Sequence, residues 1–206
     1  MLTQALNRIM SIPWVYDQVQ LLAGARYVHR QLAPQIASFV SGSSVVLDLG
    51  GGTGIVRRLL SPVCVYICLD LDMVKLRAFQ SKYPDGIAVL SDVTQVPART
   101  GSIDVVICTC VSHHLSDELL EQLIAEGARV LKSIGAFVFL DPVWEPRSLV
   151  GRLLWKYDRG SYPRTKEHLG RVISDHFRAI YTAQFSVLHE YLLCVGVKRS
   201  STRSDL

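Results

Sequence analysis

Hydrophobic positions follow two rhythms along the chain. From Trp14 to about Val40, the apolar residues Val15, Val19, Leu22, Tyr27, Leu32, Ile36 and Phe39 recur at helical spacing, with Gly24 and Pro34 as breaks, which predicts two or three helices. Short, continuous apolar runs then take over. Val45 to Leu49, Val63 to Leu69, Ile87 to Leu90, Ile103 to Cys110 and Ala136 to Leu140 read as strands. Helical stretches lie between them at Ile55 to Leu60, Asp72 to Lys82 and Asp117 to Lys132, the last with Leu119, Leu120, Leu123, Ile124 and Val130 on one side. Strands that are apolar throughout and alternate with helices predict a parallel sheet covered on both faces.

After Asp141 the alternation stops, and residues 142–165 hold Pro142, Pro146, Gly160 and Pro163 among aromatic and basic residues. Thr165 then reads as the N-cap of a helix carrying His168, Leu169, Val172, Ile173 and Phe177, while Ala179 to Leu188 and Tyr191 to Val197 form a hairpin across His189-Glu190. The predicted fold is α/β: a doubly wound, mostly parallel seven-stranded sheet with an antiparallel C-terminal hairpin at its edge. One domain spans 1–206. It is divided into N-terminal helices over 1–42, a core over 43–141, a lid loop over 142–165, a helix and edge hairpin over 166–199 and a polar tail over 200–206.

Composition narrows the class. With 206 residues, 49% apolar and 19% charged, the chain is long and apolar enough to bury a core, which excludes general disorder. The net charge of +4 is low for a protein that grips nucleic-acid backbones. That charge is local, because residues 147–178 carry eight basic side chains against three acidic ones, interleaved with Trp155, Tyr157 and Tyr162. The cysteines Cys64, Cys68, Cys108, Cys110 and Cys194 are odd in number and lie in apolar runs without CxxC or zinc-type spacing, so neither a disulfide scaffold nor a metal site is expected. No apolar run approaches the ~20 residues of a membrane span, and the N-terminus lacks a signal-peptide core. The expectation is a cytoplasmic protein.

The segment VVLDLGGGTG carries the chemistry. A strand that becomes a helix within a few residues needs positive φ and close backbone approach, which glycine supplies, and the helix start beyond it offers free N–H groups to a polar ligand. Dinucleotide spacing from Gly50 and Gly52 requires glycine at position 55, where Ile55 stands, and no Gly-Lys-Ser/Thr follows for a phosphate loop. Asp48, two residues before Gly50, would repel a pyrophosphate and suits a ligand with an ammonium group.

These residues resemble the first motif of the class I S-adenosylmethionine-dependent methyltransferases, a family with a Rossmann-like fold. The resemblance implies S-adenosyl-L-methionine as cofactor, with Asp48, Gly50, Gly52 and Gly54 facing its methionine and sulfonium part. Asp70, at the end of the second strand and followed by Leu71, matches the family's acid for the ribose hydroxyls, and Asp92 matches the acid beside the adenine amino group, with Val93 against the ring. Thr109 ends the fourth strand in DVVICTCVSHHLSDELL, which resembles the family's fourth strand and loop. Each acid alone reads as a cap or a solvated residue. Three acids at three successive strand ends, where an open α/β sheet places its ligand, read as a site.

Methyl transfer from a sulfonium asks the protein to position a nucleophile and, for a hydroxyl acceptor, to remove a proton. His113 and His114 follow the fourth strand and are candidate bases, with capping or packing as the alternative. Tyr16 is a third candidate, on the cofactor or the acceptor, with packing in an amphipathic helix as its alternative. The basic, aromatic stretch including Arg147, Arg152, Lys156, Arg159, Arg164, Lys166, Arg171 and Arg178 reads as a pocket for an anionic, partly apolar acceptor, as an RNA surface, or as a solvated face. The expectation is a methyltransferase of small molecules, monomeric or homodimeric, with O-methylation in front and nucleic acid disfavoured. The alternatives are a non-catalytic S-adenosylmethionine-binding regulatory or assembly protein, or an RNA or protein methyltransferase.

Overall fold

The computed structural model describes residues 26–60, 62, 64–145, 155, 162–187 and 189–199. Helix α1 (Arg26–Ala37) buries Val28, Leu32 and Ile36, spaced four apart and so on one face. Pro34 was expected to break this segment but lies inside the helix. The missing N–H removes one bond, yet the Pro34 carbonyl still accepts from Ser38 N–H at 3.2 Å, and the buried face on either side outweighs the loss.

Strand β1 (Val45–Leu49) runs into the glycine turn and then into a single 3-10 turn, Val56–Leu59, rather than a longer helix. Strand β2 (Val65–Asp70) leads to helix α2 (Met73–Lys82), whose N-terminus is capped by Asp72 Oδ1 accepting from Val74 and Lys75 N–H. Strands β3 (Ile87–Leu90) and β4 (Ile103–Thr109) follow, then helix α3 (Asp117–Val130), capped by Ser116. Strand β5 (Leu131–Val143) starts directly after α3 and is longer than its apolar run suggested. It bulges where Ile103 pairs with Leu131 and Val105 with Ala136. Helix α4 (Lys166–Ser174), capped by Thr165, and strands β6 (Phe177–Ser186) and β7 (Glu190–Lys198) complete the chain.

The sheet order is β3-β2-β1-β4-β5-β7-β6. Strands β6 and β7 form the expected antiparallel hairpin at the sheet edge, with β7 on the inner side, antiparallel to both β5 and β6. Burial explains the order: Leu192–Gly196 in β7 are continuously buried, whereas β6 beyond Phe177 is exposed or half-buried throughout and takes the edge. One core layer lies under α3 and α4, where Phe137 stacks on Phe177 with ring centroids 4.5 Å apart. The other lies under α1 and α2 around Leu32, Tyr66, Phe79 and Val138. The C-terminal ends of β1, β2 and β4 meet the glycine turn between these layers.

Candidate functional site

The glycine turn is sewn onto β2 by Gly50 and Gly51 N–H, which both donate to the Leu69 carbonyl at 2.8 and 3.1 Å. Gly52 and Gly54 take φ of +56° and +74°. A Cβ on Gly54 would stand 2.4 Å from the Phe79 ring, whereas one on Gly52 would have 3.5 Å to the Lys75 chain, so the turn is tight on its core side and open on its outer side. That open side forms a cleft of about 90 Å³ lined by Gly50–Thr53, Val28 and Leu32 of α1, Lys75, Thr109, Leu140 and Tyr191. Cys110, also in its wall, has φ +56° while its N–H donates to the Leu140 carbonyl at 2.8 Å. A non-glycine residue held there beside a cleft is the kind of local strain that accompanies ligand sites, and the sequence carries no signal for it.

Asp70 is 8% exposed, and its Oδ2 accepts from Gly52 N–H at 2.9 Å while Oδ1 accepts from Asp72 N–H at 2.8 Å. Each oxygen retains a second lone pair, so the carboxylate holds the turn and can still accept two hydroxyls. Leu71 beside it is 66% exposed. Ser91 N–H donates to the Asp70 carbonyl, which ties the end of β3 to that of β2. At that end Asp92 Oδ1 accepts from both the N–H and the hydroxyl of Thr94, leaving Oδ2 available to a donor. Val93 departs from the expected place against a ring, because its side chain is buried in the core under α3.

Asp48 also departs from expectation. It does not line the cleft but lies beneath the turn, fully buried, with Oδ2 accepting from the Tyr66 hydroxyl and Oδ1 without a partner. Burial pushes its carboxyl up to about 7; the Tyr66 hydrogen bond opposes the shift, and the Asp70 charge adds to it.

Neither His113 nor His114 is among the described residues that line the cleft. His113 is buried, with Nδ1 2.6 Å from Asp141 Oδ1, while Asp141 Oδ2 accepts from Val111 and Ser112 N–H at 2.9 and 2.7 Å. One buried carboxylate thus collects three donors and pins the loop after β4. His114 is exposed, its ring 4.1 Å from that of His113. Trp155 is buried, edge-on to His113 and His189. Asp141 was visible in sequence only as the acid ending the fifth strand. Tyr16 lies outside the described residues.

The basic stretch separates into parts. Arg164, read from sequence as part of an anion pocket, an RNA surface or a solvated face, is buried and works as a clamp. Its Nε bonds Asp117 Oδ1 at 2.7 Å, Nη1 the Ser112 carbonyl at 2.8 Å, and Nη2 the Leu115 carbonyl at 2.6 Å. Lys166, Arg171 and Arg178 are exposed on α4 and β6, away from the cleft. Arg147, Arg152, Lys156, Tyr157 and Arg159 lie outside the described residues. Among the described residues lining the cleft, Lys75 is the only lysine or arginine. His29 there is held below its ordinary range by burial first and the Arg58 charge second.

Residues 47–139, from β1 through the glycine turn to β5, match the model of a methyltransferase domain. Over this stretch the chain is similar to methyltransferase domains. Uncharacterised methyltransferases of a Geobacillus species and of Oceanobacillus iheyensis are 27% and 34% identical to it, over 62% and 50% of this chain and 61% and 48% of theirs. A human thiol S-methyltransferase is 28% identical over 55% of this chain and 50% of its own length. The chain thus spans about half to three-fifths of the length of these relatives. Two solved structures share the fold. One is a Haloferax volcanii protein in complex with the Trm112 methyltransferase activator, with TM-score 0.75, 17% identity and coverage of 92% of this chain and 98% of that one. The other is the geranyl diphosphate C-methyltransferase of Streptomyces coelicolor, with TM-score 0.69, 12% identity and coverage of 84% and 76%. Among the described residues, no helix is long and apolar enough to cross a membrane.

Proposed function

We propose that the protein transfers the methyl group of S-adenosylmethionine to a small, largely apolar acceptor, with the cofactor seated on the glycine turn. The observation that carries this reading is the coupling of the Gly52 turn to Asp70, which leaves carboxylate lone pairs for the ribose hydroxyls beside an open backbone cradle. Gly50, Gly52 and Thr109 line the methionine end, Gly54 and the buried charge of Asp48 support the turn from below, and Leu71, Asp92 and the Val93 backbone take the adenine end. Transfer forms a bond from the acceptor atom to the methyl carbon as the carbon–sulfur bond breaks onto sulfur, and the acceptor's proton leaves to a base.

The cleft wall beyond the turn, built from Leu32, Leu140 and Tyr191, supports an apolar acceptor over an anionic one. A hydroxyl is the acceptor we place first. A thiol comes next, on the likeness to the human thiol S-methyltransferase. His113, oriented by Asp141, is the candidate base, with His114 beside it and Tyr16 as the further candidate. The thiols of Cys68, Cys108 and Cys194, buried in apolar strands, support a cytoplasmic setting.

A second reading, a cofactor-binding protein without turnover, draws on the burial of His113 under Trp155. Calorimetry with S-adenosylmethionine tests what the two readings share: saturable one-to-one binding is expected, and no heat at millimolar cofactor overturns both. Incubation with methyl-labelled cofactor and a small-molecule extract then separates them. A labelled product supports the enzyme, and binding without product supports the second reading.

A further inference from the structure

On the sheet face opposite α1, a second cavity of about 360 Å³ opens between α4 and the outer strands, and it shares no residue with the glycine-turn cleft. Its size is that of a small-molecule site. The floor is apolar, made of Ile173, Phe177, Leu192 and Cys194, all buried. The rim carries Lys166, Arg178 and Arg199 against one acid, Glu167.

Gly170 makes this cavity more than a gap at a sheet edge. It sits in the middle of α4, where glycine costs about 1 kcal/mol relative to alanine. Neither of the usual compensations is present among the described residues: its φ is not in the left-handed region, and none of their atoms lies within 4 Å of where a Cβ would stand. What the missing side chain provides is room, since Gly170 forms the cavity's helical wall. Lys166 is held at the rim by donating to Gln184 Oε1 at 2.9 Å, and the two guanidinium groups offer paired donors suited to a carboxylate or phosphate. An apolar floor below a cationic rim selects a molecule that is apolar at one end and negative at the other.

We propose that the trough between α4 and strands β6 and β7 is a binding site for a small amphiphilic anion, a short hydrocarbon chain ending in a carboxylate or phosphate.

Titration of the full chain with sodium octanoate, octyl phosphate and octanol, followed by calorimetry, tests this. Octanoate or octyl phosphate is expected to bind saturably with one-to-one stoichiometry, and octanol at least tenfold more weakly. Gly170→Leu fills the trough with a better helix former, so it should lower the affinity for the anion at least tenfold while the melting temperature holds or rises. Arg178→Ala combined with Arg199→Ala should abolish the preference for the anion over octanol. The proposal is overturned by the absence of saturable binding of both anions, by anion binding that Gly170→Leu leaves unchanged, or by octanol binding as tightly as octanoate. It is overturned equally if a hexaglutamate peptide binds and octanoate does not, which would assign the surface to an acidic protein partner.

Discussion

Asp48→Asn isolates the buried charge under the glycine turn. In the folded protein this carboxyl titrates at about 7, against 3.8 for an unperturbed aspartate. Between those values the native state holds a proton that the unfolded chain has released, so stability falls as pH rises from about 4 to 7, and above 7 the penalty is complete. The whole interval corresponds to about 4 kcal/mol, of which about 2.5 kcal/mol falls between pH 5 and pH 8. Asparagine mimics the neutral form and removes that dependence. Its amide NH2 takes the place of the unpartnered Oδ1 and costs about 1–3 kcal/mol at every pH. The absolute effect at pH 8 is therefore a net gain of about 1–3 kcal/mol, but the sharper quantity is the double difference. Urea unfolding of both proteins at pH 5 and pH 8 should show the wild type losing about 2.5 kcal/mol more than the variant. Parallel losses would refute the placement of an ionising, desolvated carboxylate beneath the turn.

Three further substitutions probe separate parts of the structure. Asp70→Ala removes the acceptor for Gly52 N–H and the lone pairs offered to the ribose, and calorimetry should show S-adenosylmethionine binding weakened at least tenfold. Gly54→Ala forces a Cβ to within 2.4 Å of the Phe79 ring at φ +74°, and thermal or urea unfolding should report a loss of about 2–4 kcal/mol. Arg164→Ala strips donors from the Ser112 and Leu115 carbonyls and from Asp117, so chemical unfolding should show a loss of about 3 kcal/mol; a stable variant that discriminates only among anionic acceptors would restore Arg164 to an anion pocket.

The fold was legible because its signals are local. Continuous apolar runs placed β1 to β4 within a residue or two, and Asp72, Ser116 and Thr165 cap α2, α3 and α4 as their types and positions suggest. The insertion of β7 was readable in principle, since its run Leu192–Gly196 is apolar throughout while β6 mixes charged and polar residues into its length. Pro34 misled because a helix-breaking residue acts on one hydrogen bond, whereas the buried face of α1 acts over three turns.

Residue type and spacing alone determined that a glycine turn follows a buried strand and that acids end the successive strands, because the backbone geometry of a strand-to-helix turn admits few residues. Which way each side chain points depended on partners distant in sequence. Asp70 reaches the turn, Asp48 is drawn under it by Tyr66, and Asp141 closes on His113 across 28 positions. Arg164 read in sequence as a ligand-binding or a solvated cation, and only the carbonyls of a loop some fifty residues away make it a clamp. A charge in sequence has a sign and a reach; its work is set by which dipoles the tertiary fold brings within 3 Å, where desolvation makes an unmatched charge costly and a matched one structural.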